Sequence, residues 1–117
     1  MTHDSTPTAG IDTAKDKLDI AIAGSQEPFT VANAAAGWRQ LARRLTAAGV
    51  KRAGIEASGG YERGVVEHLR QAGFIVLVLQ PLQIKAYARL HRRRAKNDRI
   101  DAALIAACAA LAEPPAT

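Results

Sequence analysis

Cysteine and methionine occur once each in this 117-residue chain, and aromatics are limited to two Phe, two Tyr and one Trp. The single cysteine, Cys108, excludes an internal disulfide and any zinc site built on paired cysteines. It sits in the small-residue run Ala102 to Ala112, where a buried packing thiol is the simpler reading than a nucleophile. His3, His68 and His91 have no ligand spacing and receive no chemical role. With so few aromatics the core must be made of Ala, Leu, Ile and Val, a composition suited to helices packed on a sheet. The run 102–112 is also too short to span a bilayer, which needs roughly 20 apolar residues. Met1 to Thr8 is polar and lacks the apolar centre of a signal peptide, so a cytoplasmic location without membrane contact is expected.

What is present is an ordinary globular apolar content, 48 %, and a surplus of positive charge: 16 Lys and Arg against 11 Asp and Glu, net +5. The length fits one domain able to bury about two-thirds of its unfolded surface. The surplus favours a polyanionic partner, nucleic acid first; a merely solvated basic surface is the alternative.

The pattern of apolar runs and turn residues predicts strands over 9–14, 18–23, 29–32, 51–57 and 74–79, the last a near-continuous apolar run expected to be buried on both faces. Helices are predicted from the N-cap Asn33 to Ala48, from Tyr61 to Ala72, from Pro81 with Leu82, Ile84, Tyr87, Ala88 and Leu90 as apolar positions, and from about Asp98 to Ala112. Gly49 and Gly73 close the first two. Residues 1–8 and 113–117 are expected to be tails around a domain at 9–112. The order β-β-β-α-β-α-β-α-α joins an antiparallel meander to parallel βα units, the signature of the ribonuclease-H-like fold: a mixed five-stranded sheet flanked by helices. Such a sheet sets its first and fourth strands side by side, and ligands of open α/β sheets gather at strand ends.

Four acidic residues stand in distinctive settings. Asp12 lies in Gly10-Ile11-Asp12-Thr13-Ala14-Lys15 and Glu56 in Gly54-Ile55-Glu56-Ala57-Ser58-Gly59-Gly60-Tyr61. Both end apolar runs, where a carboxylate is costly unless something positive meets it, a divalent metal above all. Asp98 and Asp101, in Lys96-Asn97-Asp98-Arg99-Ile100-Asp101-Ala102, are three apart on an expected helix and would share a face. Four converging carboxylates suit Mg²⁺ ions acting on a phosphodiester. Taken singly, each acid has a plainer reading: a turn Asp, a strand-end Glu, an N-cap and a first-turn acid. Asp16 and Asp19 read as surface charges beside Lys15 and Lys17, Glu62 as an acid favourable to a helix dipole, and Tyr61 as a packing residue. Gly59 and Gly60 either expose N–H groups to a phosphate or make an ordinary turn. The basic run Arg92-Arg93-Arg94, with Lys96 and Arg99, puts positive charge where a phosphate backbone would approach the carboxylates; Lys15 is a further phosphate contact or a solvated turn lysine.

In these frames, with Leu18-Asp19, Glu62, and Pro81 with Gln83, the chain resembles the DEDD transposases: insertion-sequence recombinases and pilin-gene invertases whose N-terminal domain looks like the RuvC Holliday-junction resolvase. The resemblance runs from about Ala9 to Ala107. It implies the catalytic domain of a DNA recombinase, in which Asp12, Glu56, Asp98 and Asp101 are catalytic and hold Mg²⁺, with Mn²⁺ as a substitute. It also implies DNA as substrate, a structured RNA from the element as partner in some members, and homo-oligomers. Family members continue into a C-terminal domain that supplies a serine. No match to it is expected here, Ser58 being in a glycine turn, so whether this stretch is an enzyme by itself stays open. The rivals are a non-catalytic nucleic-acid-binding or assembly fragment and a stand-alone Holliday-junction nuclease. A sugar-kinase or actin-like ATPase half also begins with a strand carrying Asp near Lys, but has no place for Asp98 and Asp101.

Overall fold

The computed structural model describes residues 6–24, 27–91 and 100–112. Five strands, β1 (Thr8–Thr13), β2 (Lys17–Ile22), β3 (Phe29–Ala32), β4 (Arg52–Glu56) and β5 (Ile75–Leu79), form one sheet in the order β3-β2-β1-β4-β5. β1 pairs antiparallel with β2 through Asp12↔Asp19 and parallel with β4 through Thr8↔Arg52 to Ile11↔Ile55. β5 continues the parallel half and β3 the antiparallel half. The helices are α1 (Ala35–Ala47), α2 (Arg63–Gln71), α3 (Pro81–His91) and α4 (Ala102–Leu111).

Strand alternation divides the side chains into two cores. Ala9, Ile11, Leu18, Ile20, Ala53, Ile55 and Val76 meet Leu41 and Leu45 of α1 and Val65, Val66 and Leu69 of α2. On the opposite face Leu77 and Leu79 meet Ile84 of α3 and Leu104, Ile105, Cys108 and Ala109 of α4. Each fully buried Leu or Ile contributes about 1.5–3 kcal/mol relative to exposure. Cys108 is a buried packing thiol, and its burial pushes the thiol pKa up.

Helix α4 lies almost on the sheet because two strand residues lack side chains. A Cβ on Gly10 would meet the Ala102 carbonyl and the backbone of Ala106; one on Gly54 would meet the Ala109 side chain and Ile105. Arg52 then donates to the carbonyls of Ala109, Ala110 and Ala112 at 3.1–3.3 Å, capping α4 with positive charge where its dipole is negative.

Four expectations change. β5 is an edge strand among the described strands, and Ile75 and Val78 are exposed, so it is not buried on both faces. On α3 only Ile84 is fully buried; Leu82 and Leu90 are 81 % and 76 % exposed, because this helix packs mainly against α4 rather than across the sheet. The N-cap position of α1 is Ala34, which has no side-chain cap, and Asn33 serves other bonds. The last helix begins at Ala102 rather than near Asp98: Asp101 is extended (φ −129°, ψ 172°) and caps it, accepting from the Leu104 N–H at 2.8 Å. Asp101 thus precedes the helix instead of lying on one of its faces, and Asp98 lies outside the described residues. Among the described residues no helix is long and apolar enough to cross a membrane.

Candidate active site

The side-chain alternation that sends Ile11 and Ile55 into the α1–α2 core sends their successors, Asp12 and Glu56, to the α3–α4 face. Each is the residue just beyond the last β1–β4 pair, Ile11↔Ile55, so the two half-buried carboxylates stand side by side at neighbouring strand ends. Glu56 feels this arrangement. Its pKa is raised, first by burial and then by the Asp12 charge; the Lys85 ammonium of α3 pulls it back in part. Asp101 reaches the same region from the start of α4, which the Gly10 contact fixes against β1. Asp12, Asp19 and Asp101 line one cleft of about 550 Å³, whose remaining wall is largely apolar and includes Ile22, Pro28 and Ala106.

Among the described residues no three His, Cys, Asp or Glu side chains close on one point as a complete metal cage. The donor set itself nonetheless fits a hard cation. Two carboxylates held against their mutual repulsion, one with a raised pKa, supply the oxygen ligands that Mg²⁺ prefers, and Mg²⁺ habitually leaves part of its shell to water or phosphate. Asp101 accepts the N-cap bond of α4 through its Oδ1.

The turn after β4 is built differently from a phosphate cradle. Gly59 and Gly60 have φ of +74° and +114°, a region that favours glycine. The N–H groups of Ser58 and Gly60 both point to Glu62 Oε1 at 3.1 Å, and Ser58 Oγ donates to the same atom at 3.0 Å. Burial raises the Glu62 pKa, but hydrogen bonds from its own N–H, from Ser58 and from Gly60 outweigh it, and the net shift is downward. The turn therefore has an internal anion in place of a bound phosphate. Tyr61 is 51 % exposed and is not a packing residue; its carbonyl accepts from Asn33.

The amino-acid sequence matches the model of a transposase family, the DEDD transposases, over residues 9–115. The chain belongs to that family. Among solved structures it is similar to Thermus thermophilus RuvC in complex with a Holliday junction substrate, with a TM-score of 0.62 and 16 % identity over 90 % of this chain and 92 % of that one. A second Thermus thermophilus RuvC structure gives a TM-score of 0.58 at 18 % identity, covering 90 % of each chain. The likeness establishes a RuvC-like, ribonuclease-H-like fold. No match is found among curated proteins.

Of the residues singled out in this transposase-family chain, Asp12 and Glu56 come together, and Asp101 shares a cleft with Asp12. Lys15 is exposed in the β1–β2 turn. Asp98, Arg92, Arg93, Arg94, Lys96 and Arg99 lie outside the described residues. Asp19 was read as a surface charge beside Lys17, and its carboxylate does lie 3.8 Å from Lys17 Nζ and accepts from Thr30 Oγ1 at 2.7 Å; what that reading missed is that Asp19 stands opposite Asp12 across the hairpin and lines the same cleft. The alternation Leu18-Asp19-Ile20 opposite Ile11-Asp12 carried that signal. Lys85 was also passed over; only the packing of α3 brings it near Glu56.

Proposed function

We propose that this domain carries out metal-dependent DNA strand cleavage and exchange in transposition. The observation that carries the reading is the pair Asp12 and Glu56, set side by side at the ends of parallel strands in a RuvC-like sheet. In this reading Asp12 and Glu56 hold Mg²⁺, for which Mn²⁺ substitutes, with Asp101 and Asp98 completing the acidic set. The ion would supply charge neutralisation at the scissile phosphate and an activated nucleophile. The carboxylates fix the position of that charge, and the apolar wall of the cleft keeps it sparsely solvated and strong. Lys85 moderates the negative potential at Glu56 and is poised to meet an incoming phosphate oxygen. Lys15, Arg92, Arg93, Arg94, Lys96 and Arg99 contact the flanking phosphates. The structure of a RuvC bound to a Holliday junction supports branched DNA as the substrate class. A homo-oligomer and a structured element RNA belong to the same proposal, on the strength of family membership.

The test is fluorescence-anisotropy binding of a synthetic four-way DNA junction with and without Mn²⁺. The acids gathered in the cleft repel phosphate, so Mn²⁺ tightens binding by the wild type. Asp12→Asn and Glu56→Gln bind more tightly than wild type without metal and respond little to it. A wild-type DNA affinity indifferent to Mn²⁺, or one that Mn²⁺ raises as much in both variants as in the wild type, overturns the proposal.

A further inference from the structure

Two like charges at the end of a strand ladder push the strands apart, and the structure contains a device that opposes this. Thr13, directly after Asp12, has its Oγ1 2.6 Å from the Oγ of Ser58, two residues after Glu56. The Ser58 hydroxyl has one proton, and it goes to the Glu62 carboxylate, which has none to give while ionised. Thr13 must therefore be the donor to Ser58. The bonds form a directed chain, Thr13 O–H to Ser58 Oγ, Ser58 O–H to Glu62 Oε1, and the downward pKa shift of Glu62 keeps its terminus charged. A second tie lies beside it. The two protons of Asn33 Nδ2 go to the carbonyls of Ala14 and Tyr61, both at 2.9 Å, joining the loop after β1 to the loop after β4. Asn33 is itself held by Trp38 Nε1 through its Oδ1, also at 2.9 Å.

We infer that Thr13 and Ser58 are positioning residues for the acidic pair: their hydroxyl bond, anchored on Glu62, fixes the separation of Asp12 and Glu56 at the value a shared cation needs. This rests on the reading of that pair as a metal site. The energetic logic is preorganisation. The fold spends the repulsion energy in advance, so the ion finds its ligands already gathered rather than having to draw two strand ends together. Partners of this kind, one step removed from the ligands, typically alter metal affinity by about 10–100-fold.

The test uses the full chain with Mn²⁺ alone as probe, measuring the dissociation constant by calorimetry and the unfolding midpoint in EDTA. Thr13→Val keeps the shape of the side chain and removes the donor; Ser58→Ala removes the link while leaving the Ser58 N–H bond to Glu62. Each is expected to weaken Mn²⁺ binding by about tenfold, the low end of that range. The double variant is no weaker than the singles, because one chain has been cut twice. Thr13→Ser restores most of the affinity. Variants that unfold earlier in EDTA yet bind Mn²⁺ as the wild type does would show a purely structural link and overturn the inference. A wild type that binds no Mn²⁺ overturns the metal reading itself, and the inference with it. If Thr13→Val does not fold, Ser58→Ala decides alone.

Discussion

Glu56 and Glu62 sit six residues apart and are tuned in opposite directions. Burial and the Asp12 charge hold the Glu56 pKa above its ordinary value of 4.5, so the folded state takes up its proton more readily than the unfolded state. Stability from this group is fully present below the unfolded value and is lost as pH rises through the higher folded one. Glu56→Gln is therefore expected to raise the thermal midpoint at pH 7 in EDTA, and the gain should shrink as pH falls below the usual carboxylate range. A scan of midpoint against pH for both proteins checks it. Glu62 runs the other way: its pKa is lowered, so its contribution is present above the ordinary value and lost as pH falls through the folded one. Glu62→Ala strips the shared acceptor from Ser58 and Gly60 and should cost about 1–2 kcal/mol at neutral pH, discounted for partial exposure, in urea unfolding. An unchanged midpoint would mean that water replaces the carboxylate without loss.

Helix α4 shows how an element is placed by what the sheet omits. A Cβ on Gly10 has backbone, not a flexible side-chain end, in its way. Gly10→Ala should cost about 1–3 kcal/mol or more, as overpacking does. It should also weaken Mn²⁺ binding by lifting Asp101 away from Asp12. Gly24→Ala is the control: open space surrounds it, and only its positive φ resists, at about 1 kcal/mol. The same elements mark what was legible in sequence. Strand order and the adjacency of Asp12 and Glu56 could be read because each follows from local periodicity plus one topological rule, the pairing of first and fourth strands. The edge character of β5 and the sparse burial of α3 could not, since an apolar run looks the same whether or not a neighbour covers it. The start of α4 was misplaced because Asp98 and Asp101 are both good N-caps and only tertiary contact at Gly10 selects between them. The Thr13–Ser58–Glu62 chain spans 45 residues at its first link, beyond any local pattern.

At the scale of the whole molecule, a basic chain presents an acidic cleft. In the proposed reading the net charge of +5 draws a polyanion in, while the carboxylates of Asp12, Asp19 and Asp101 would hold phosphate off until a cation binds. DNA affinity should accordingly fall with salt, with a log–log slope of about −0.9 for each duplex phosphate contacted. Replacing Arg92, Arg93 and Arg94 with Ala is expected to flatten that slope; a slope already near zero in the wild type would make the basic run a solvated surface. The central claim, that Asp12 and Glu56 form one cation site, is tested most directly by calorimetric titration of Mn²⁺ into the wild type, Asp12→Asn and Glu56→Gln at pH 7. The account predicts saturable binding to the wild type, with most of the heat and affinity lost in each variant. Equal binding by all three proteins would contradict it.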